Sequence, residues 1–255
     1  MDVAIVGPGR LGRSLALLLA AEGIAVTLCG RGEAPPAGID VVLLTVPDSA
    51  ISDVASAIRP GPVVLHCSGA SPIDVLDPHV RRGSLHPLMS FPGPEHGVPP
   101  LAGVGAAVAG HPDAVSVARR LCSVLGMTPI SITGDRRLYH AAAVIAGNFT
   151  TVLMAEATRL LIAAGADPQT AAATLAPLAH ASVDGAVPDP AAGLTGPVTR
   201  GDRTTIRGHQ VALDEAGLGD LRRLYDALTA RAEAIARKPT VCDGVVEDED
   251  RPVSP

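Results

Sequence analysis

Short apolar runs alternate with longer stretches of helical periodicity along the first half of the chain. Seven runs rich in β-branched and aliphatic residues predict strands, at 3–6, 25–29, 41–46, 63–66, 84–86, 105–109 and 128–132. Helical stretches fit between most of them, and Pro112 stands at a first helical position, where its missing N–H costs nothing. Strands joined by crossover helices are typical of an α/β fold with a mostly parallel sheet.

The pattern changes after Gly134, where long alanine-rich helical segments replace the strands. Helices are predicted over 135–164, 167–184 and, as a pair, 202–237, with a loop rich in Pro and Gly at 185–201. The sequence therefore predicts an α/β domain over 1–133 and an all-helical domain over 134–240. The acidic segment 241–255 ends in prolines and is predicted to be a disordered tail.

Composition and charge narrow the expected partners. Hydrophobic residues make up 47% of the chain, but no apolar run reaches the roughly 18 residues of a membrane span, and the N-terminal run predicts a strand rather than a signal peptide. We therefore expect a soluble, cytoplasmic protein without a membrane partner. A net charge of −6, with two Phe, two Tyr and no Trp, argues against a nucleic-acid partner.

The cysteines are far apart and form no CxxC pair. This spacing argues against a metal site and against a disulfide framework. We interpret all of them as small apolar side chains in the core: Cys29, Cys67, Cys122 and Cys242.

A GxGxxG motif, Gly7-Pro8-Gly9-Arg10-Leu11-Gly12, follows the first predicted strand and leads into an apolar helix. The first glycine allows a tight turn, the second lets the backbone approach a pyrophosphate, and the third lets helix and strand pack closely. The N-terminus of the helix attracts the negative charge. Because strand, glycines, helix and next strand follow one another within thirty residues, the motif predicts a dinucleotide cofactor held at Gly7, Gly9, Arg10, Leu11 and Gly12.

The end of the second strand bears on which dinucleotide is bound. A site for NAD usually has Asp or Glu there to bind the ribose 2′-hydroxyl, whereas this chain has Arg31. A guanidinium can pair with a 2′-phosphate, so Arg31 favours NADP; the alternative is a solvated loop arginine. The neighbouring Glu33 weakens the argument, and Arg10 or Arg13 could also meet a phosphate.

Other candidate residues follow the third and fourth strands, at the edge where such sheets bind ligands. Val46 and Pro47 are predicted to contact the cofactor, and the following Asp48 to cap a helix. Ser68 and Gly69 offer a hydroxyl and bare backbone N–H groups to a substrate. His86 lies in a loop after a later strand, where it either binds substrate or has a structural role. For Asp48, Ser68, Gly69 and His86 the functional and the structural interpretation both stay open.

The long helix that starts near 135 carries polar residues in an apolar setting. At regular α-helical spacing His140, Val144, Asn148 and Thr151 share one face, which either meets the substrate or makes a polar contact between domains or subunits. Gly147 indicates a close approach of backbone or ligand beside Asn148.

The loop before the next-to-last helix holds a cation and a hydroxyl. Arg200 and Thr195 suit the carboxylate of a small acid substrate. The alternative is a local ion pair between Arg200 and Asp202, the residue predicted to cap the helix.

Four motifs together resemble the Rossmann-like proteins that carry domain of unknown function 2520: 7–12, 85–91, 139–143 with 148–149, and 194–197 with 200–202. The resemblance extends to about residue 237. It implies a fold akin to the 6-phosphogluconate, hydroxyisobutyrate and ketopantoate reductases, with an NADP-binding domain and a helical domain for substrate binding and dimerisation. Some members of the family are associated with ketopantoate reduction in pantothenate biosynthesis, which makes that reaction the first specific candidate.

One departure from the better-known relatives concerns the proton donor. Those enzymes use a lysine on the long helix one turn before an asparagine, whereas Val144 stands one turn before Asn148 here and the only lysine in the chain is Lys238. His140 is the natural replacement as general acid, with Tyr139 and His86 in reserve.

The resulting hypothesis is an NADPH-dependent reductase of a small carboxylate-bearing carbonyl compound. His140 supplies the proton, Asn148 and Ser68 orient the substrate, and its carboxylate binds Arg200 and Thr195. Two alternatives stay open. A cyclic imine reductase of the pyrroline-carboxylate type needs no lysine, since the substrate nitrogen can carry its own proton. A regulatory or scaffold protein that binds NADP without catalysis would also explain the missing lysine.

Overall fold

The computed structural model describes residues 1–237, which divide into two compact units, Met1–Phe149 and a second unit that starts at Thr150. The division comes later in the chain than the boundary after 133 that the change of pattern predicts. The first part of the long helix therefore belongs to the unit with the sheet. The predicted tail 241–255, together with Lys238 and Cys242, lies outside the described residues.

The first unit is built on a seven-stranded sheet in the order β2-β1-β3-β4-β5-β6-β7. The strands are β1 (Asp2–Val6), β2 (Ala25–Cys29), β3 (Val41–Leu44), β4 (Val63–His66), β5 (Arg82–Pro87), β6 (Gly105–Gly110) and β7 (Thr128–Ile130). β1 to β5 are mutually parallel, β6 runs antiparallel to β5, and β7 is parallel to β6. This mostly parallel sheet confirms the predicted fold class.

Helices cover both faces of the sheet because the central strands are apolar on both sides. In β1, Val3 and Ile5 join a core cluster with side chains of α1 (Arg10–Ala21) and α3 (Pro112–Val124). Ala4 and Val6 point to the opposite face and pack in a cluster with α2 (Ile51–Ser56). Successive side chains of a strand alternate between faces, so near-continuous apolar runs such as these indicate burial on both sides.

Three cysteines within residues 1–237, Cys29, Cys67 and Cys122, are buried free thiols, in agreement with their interpretation as core residues. In this part of the chain no group of three or more His, Cys, Asp or Glu side chains is placed to hold a metal ion.

The long helix predicted over 135–164 is interrupted. Asp135 caps α4 (Arg136–Val144) by accepting a hydrogen bond from the backbone N–H of Arg137 at 2.8 Å. A π-helical segment, Ile145–Phe149, then leads into α5 (Thr150–Ala163). The hydrogen bonds of a π-helix span five residues instead of four, which adds a residue to the turn. The prediction that positions 140, 144, 148 and 151 share one face assumed a regular α-helix, and the π-helical segment interrupts that regularity between 144 and 151.

The same helical run, Arg136–Ala163, bears on the expectation that the chain has no membrane span. It is 28 residues long, and a window in it has a mean hydropathy of 1.4, so by length and composition alone it is long and apolar enough to cross a membrane. A single helix that meets these two criteria is weak evidence for insertion. This one carries Glu156 and Arg159, which form an ion pair with each other at 3.3 Å.

The regular secondary structure in the described part of the second unit is all helical. Its helices are α5, α6 (Ala171–Ala186), the one-turn α7 (Pro190–Gly193), α8 (Arg203–Glu215) and α9 (Gly219–Arg237). The predicted loop 185–201 is therefore shorter than expected, because α6 continues into it and α7 lies within it. Asp202 caps α8, as predicted, by accepting from the backbone N–H of Thr205 at 3.0 Å.

Candidate cofactor and active site

The glycine loop between β1 and α1 has the geometry that a dinucleotide requires. Gly7 adopts a φ of +112°, in the region that favours glycine. A Cβ on Gly12 would lie 2.1 Å from the Gly7 carbonyl oxygen and 2.6 Å from Oγ1 of Thr45, so helix and strand can approach only if this residue is glycine. A Cβ on Gly9 would meet nothing within 4 Å, which leaves the backbone open to a pyrophosphate.

Thr45 supports this loop from the end of β3, a role that the sequence analysis missed. Its hydroxyl donates to the Gly7 carbonyl at 2.7 Å. The hydrogen bond holds the tight turn against the neighbouring strand. The sequence did contain a signal for this role, because the threonine comes directly after a buried strand, at the edge where the glycine loop is expected.

A cavity of about 800 Å³ opens beside the glycine loop, at the carboxyl ends of β1, β2 and β3. Of the residues predicted to bind the cofactor, five line it, namely Gly7, Gly9, Arg31, Val46 and Pro47. Arg10, Leu11 and Gly12 lie in the first turns of α1, where Leu11 packs against the core. The cavity, the bare face of Gly9 and the N-terminus of α1 fit an extended dinucleotide.

The turn after β2 holds both side chains that bear on cofactor choice. Arg31 is exposed and lines the cavity. Glu33 also lines it, but its carboxylate accepts a hydrogen bond from the backbone N–H of Gly30 at 2.6 Å. The carboxylate is thus bound to its own turn. Arg13, an alternative phosphate ligand, forms an ion pair with Glu95 at 3.0 Å.

The turn after β4 is held together by Ser68. This buried hydroxyl donates to Oδ2 of Asp48 at 2.7 Å and accepts from the backbone N–H groups of Ala70 at 3.2 Å and Ser71 at 2.9 Å. Ser68 therefore shapes the turn, and Asp48 connects the ends of β3 and β4. The 3-10 turn Asp48–Ala50 begins after Pro47 without a side-chain cap. The predicted capping role of Asp48 is therefore wrong.

The side chains of His86 and His140 lie against Gly69, and Tyr139 contacts His86. His86 is near the end of β5, which neighbours β4 in the sheet, and Tyr139 and His140 lie on α4. Nδ1 of His86 and the Tyr139 hydroxyl are 2.6 Å apart, and the rings of His86 and His140 meet edge to face with centroids 5.9 Å apart. A Cβ on Gly69 would lie 2.6 Å from Cδ2 of His140 and 3.0 Å from Nε2 of His86. The structure thus brings four predicted residues into one cluster.

Arg136, at the first position of α4, also belongs to this cluster and was missed by the sequence analysis. Its Nη2 donates to the Ser68 carbonyl at 3.1 Å. Nε and Nη1 are buried without a hydrogen-bond partner in the described part of the chain. A cation at a helix N-terminus opposes the helix dipole. That unfavourable placement was the only feature of the sequence that could have identified Arg136 as a candidate.

Burial and positive charge keep two imidazoles, those of His66 and His86, neutral. Burial lowers the pKa of His66, at the end of β4, to about 4, and the charge of Arg136 acts in the same direction. Burial likewise lowers the pKa of His86 to about 4, with His140 and Arg136 contributing. Burial raises the pKa of Tyr139 to about 12. At neutral pH His66 and His86 are therefore uncharged, and the Tyr139 phenol is protonated.

The remaining candidates lie further along the chain. Asn148 is in the π-helical segment. A Cβ on its neighbour Gly147 would lie 3.6 Å from Oγ of Ser90, an ordinary contact, so no backbone of the first unit approaches this glycine closely, and the approach of a ligand stays a prediction. Thr195 and Arg200 belong to the second unit, in the segment before α8. Their role as carboxylate ligands stays a prediction.

Comparison with solved structures supports the fold. Protein TM1727 from Thermotoga maritima has a TM-score of 0.71 at 24% identity, covering 92% of this chain and 98% of that chain. A proposed NADP oxidoreductase from Bacteroides fragilis, BF3122, has a TM-score of 0.76 at 20% identity, covering 91% and 98%. The 1-pyrroline-5-carboxylate reductase of Streptococcus pyogenes has a TM-score of 0.60 at 13% identity, covering 92% and 98%. No curated protein matches the sequence.

The fold and the glycine loop define a Rossmann-like protein, and the profile of the Rossmann-like domain matches residues 31–92. The profile of the family described as domain of unknown function DUF2520 matches residues 104–232, about half of the chain. The chain belongs to this family.

Proposed function

We propose that this protein is an NADPH-dependent oxidoreductase that reduces a small carboxylate-bearing carbonyl compound. The observation that carries the proposal is the arrangement at the carboxyl edge of the sheet. A glycine loop shaped for a pyrophosphate opens into a cavity at the ends of β1 to β3, and proton-bearing side chains gather around Gly69 at the end of the adjacent β4. The similar fold of a proposed NADP oxidoreductase is consistent with this function.

Selectivity for NADPH over NADH is assigned to Arg31. Its guanidinium is exposed in the cavity at the position after β2 where a 2′-phosphate is recognised. Glu33 would repel that phosphate if it were free, but its carboxylate is hydrogen-bonded to the backbone of Gly30.

The proposed reaction transfers a hydride from the bound nicotinamide to the substrate carbon. His140, in contact with the turn at Gly69, supplies the proton to the carbonyl oxygen. Asn148 orients the substrate, while Ser68 acts through the turn that it holds. Arg200 and Thr195 are proposed to bind the carboxylate. Ketopantoate (2-dehydropantoate) is the first specific substrate to test.

A cyclic imine of the pyrroline-carboxylate type is the second candidate substrate. The observation that favours it is the composition of α4, which ends at Val144, one turn before Asn148, and contains no lysine. An imine nitrogen that already carries a proton needs no general acid.

Titration with both cofactors followed by a substrate panel tests the proposed function. We expect calorimetry to show tighter binding of NADPH than NADH, and NADPH absorbance to fall with ketopantoate or another 2-keto acid. Replacement of His140 by alanine should lower kcat about 100-fold, the typical size of a general-acid contribution, without weakening NADPH binding. Unchanged turnover by His140→Ala at saturating substrate contradicts its assignment.

The other panel results separate the candidate functions. Oxidation of NADPH only by cyclic imines favours the second candidate. NADPH binding without turnover of any panel substrate favours a regulatory or scaffold protein, and failure to bind either cofactor removes the basis for all three.

We also propose that the protein is a homodimer that pairs through its helices. Large apolar side chains are at least half exposed on α4, the π-helical segment and α6, namely Leu138, Ile145, Phe149, Leu178 and Val183. Pairing between two copies through these helices would remove the apolar side chains from water. Sedimentation equilibrium should give twice the chain mass of 25.7 kDa. Leu178→Glu should shift the protein toward monomer, whereas Leu17→Glu, on α1 of the first unit and also exposed, should not.

A further inference from the structure

The His86 imidazole lies between a phenol on one side and the end of β4 on the other. We propose that His86 is a catalytic hydrogen-bond donor that polarises the substrate carbonyl through Nε2–H, and that Tyr139 and Arg136 are positioning residues that keep it neutral and in this tautomer. The proposal rests on the proposed reductase function. In this proposal the site has two proton-bearing groups with different tasks: His140 transfers a proton, and His86 donates a hydrogen bond.

The contact with Tyr139 determines where His86 carries its proton. The Tyr139 hydroxyl is 2.6 Å from Nδ1, and the two rings meet edge to face with centroids 5.5 Å apart. Tyr139 stays protonated, because burial raises its pKa to about 12. A phenol O–H is a good donor and an imidazole nitrogen a good acceptor, so Tyr139 donates to Nδ1. The hydrogen bond at one ring nitrogen sets the tautomer, and the proton of His86 is therefore on Nε2.

The opposite edge of the ring faces the ligand side of the sheet. A Cβ on Gly69 would lie 3.0 Å from both Cε1 and Nε2 of His86, so this edge touches the bare backbone after β4. Ligands of parallel α/β sheets bind outside the carboxyl ends of the strands. Gly69 thus leaves space beside the one nitrogen of His86 that carries the proton.

The charges around His86 favour a neutral ring. His140 and Tyr139 face it from α4, Arg136 acts from the start of the same helix, and Asp48 acts from the end of β3. Burial, His140 and Arg136 lower the pKa of His86, whereas Asp48 raises it, and the net value is about 4. The hydrogen bond from Arg136 to the Ser68 carbonyl holds the cation where its charge acts on His86.

A neutral donor suits reduction of a carbonyl group. The carbonyl carbon gains a hydride from the reduced nicotinamide, the C=O π bond breaks, and the oxygen gains a proton from His140; the substrate is reduced and the nicotinamide oxidised. Negative charge develops on the oxygen during this step, so a hydrogen bond from Nε2–H of His86 becomes stronger in the transition state. His86 retains its proton, and a neutral imidazole can perform this task.

Nitrogen NMR of the full-length protein with ¹⁵N-labelled histidine tests the tautomer. We expect His86, identified by the signal lost in His86→Gln, to be the neutral Nε2–H form between pH 8 and about 5. Tyr139→Phe should convert it to a mixture of tautomers. The second unit provides a matched control, because Tyr225 makes a similar contact with His209 at 2.8 Å, and Tyr225→Phe should leave the His86 signals unchanged. An Nδ1–H tautomer, or signals that Tyr139→Phe does not move, overturns the proposal.

Kinetics separate this proposal from the function on which it rests. Tyr139→Phe should lower kcat about tenfold or more, with the affinity for NADPH unchanged, since a transition-state hydrogen bond becomes misaligned. A wild-type protein that turns over a substrate, with kcat unaltered in Tyr139→Phe, contradicts the role of His86 alone. A wild-type protein that binds NADPH but reduces no substrate contradicts the proposed function and the catalytic role together.

Discussion

Replacement of Gly12 by alanine should abolish dinucleotide binding and destabilise the protein, whereas Gly9→Ala should weaken binding alone. The added methyl at Gly12 would lie 2.1 Å from a backbone carbonyl oxygen, which cannot move without opening the turn at Gly7. Overpacking of this kind costs about 1–3 kcal/mol of unfolding free energy. At Gly9 the methyl meets nothing within 4 Å in the protein, but it would occupy the side on which a pyrophosphate approaches.

Calorimetric titration with NADPH and denaturant unfolding measure the two effects separately. We expect no detectable binding for Gly12→Ala, and binding weakened about tenfold or more, with unchanged stability, for Gly9→Ala. Gly134→Ala is a matched control, since a Cβ there also meets nothing within 4 Å and the position lies outside the cofactor loop. Wild-type affinity in Gly12→Ala would falsify the assignment of this loop to the cofactor.

Acid should destabilise the fold between pH 6.5 and about 4, through histidines that are buried in the neutral form. His66 is fully buried, and its pKa is about 4 in the folded protein against an ordinary value of 6.5. Within this window the unfolded chain binds a proton that the folded chain does not. The stabilisation is therefore complete above pH 6.5 and is lost as pH falls, by up to about 3 kcal/mol for His66. His86 acts in the same direction.

Denaturant unfolding of the wild type and of His66→Asn across this pH range checks the effect. Asparagine retains an acceptor for the backbone N–H of Ser68, which donates to Nδ1 of His66 at 3.2 Å, but it does not titrate. We expect the difference in unfolding free energy between the two proteins to change in favour of the variant as the pH falls. His180→Asn, at an exposed position on α6, should leave the profile unchanged. Parallel profiles for wild type and His66→Asn would show that His66 does not titrate in this window.

The sheet and the cofactor loop could be predicted because their signals are local. All seven predicted strands are present, since a buried parallel strand is a short apolar run whatever surrounds it. The roles of Gly7, Gly9 and Gly12 follow from the absence of side chains at fixed positions between a strand and a helix.

The candidate active site was predicted only as separate residues. His86, Tyr139 and His140 were each identified as candidates, but their contacts with one another beside Gly69 depend on how β4, β5 and α4 pack. Arg136 was missed because a guanidinium at the start of a helix has the pattern of a surface residue, and only packing shows its nitrogens to be buried. The π-helical segment was missed because the same residues also fit a regular α-helical period.

By itself, the sequence determined the order of strands and helices, the fold class, the glycine loop and the placement of Arg31 after β2, because each depends on residues close together in the chain. Only the tertiary structure decided that Ser68 holds a turn through Asp48 and that His86 lies between Tyr139 and Gly69. Hydrogen-bond partners and pKa values depend on burial and on charges from distant segments, and these distances exist only once the chain has folded.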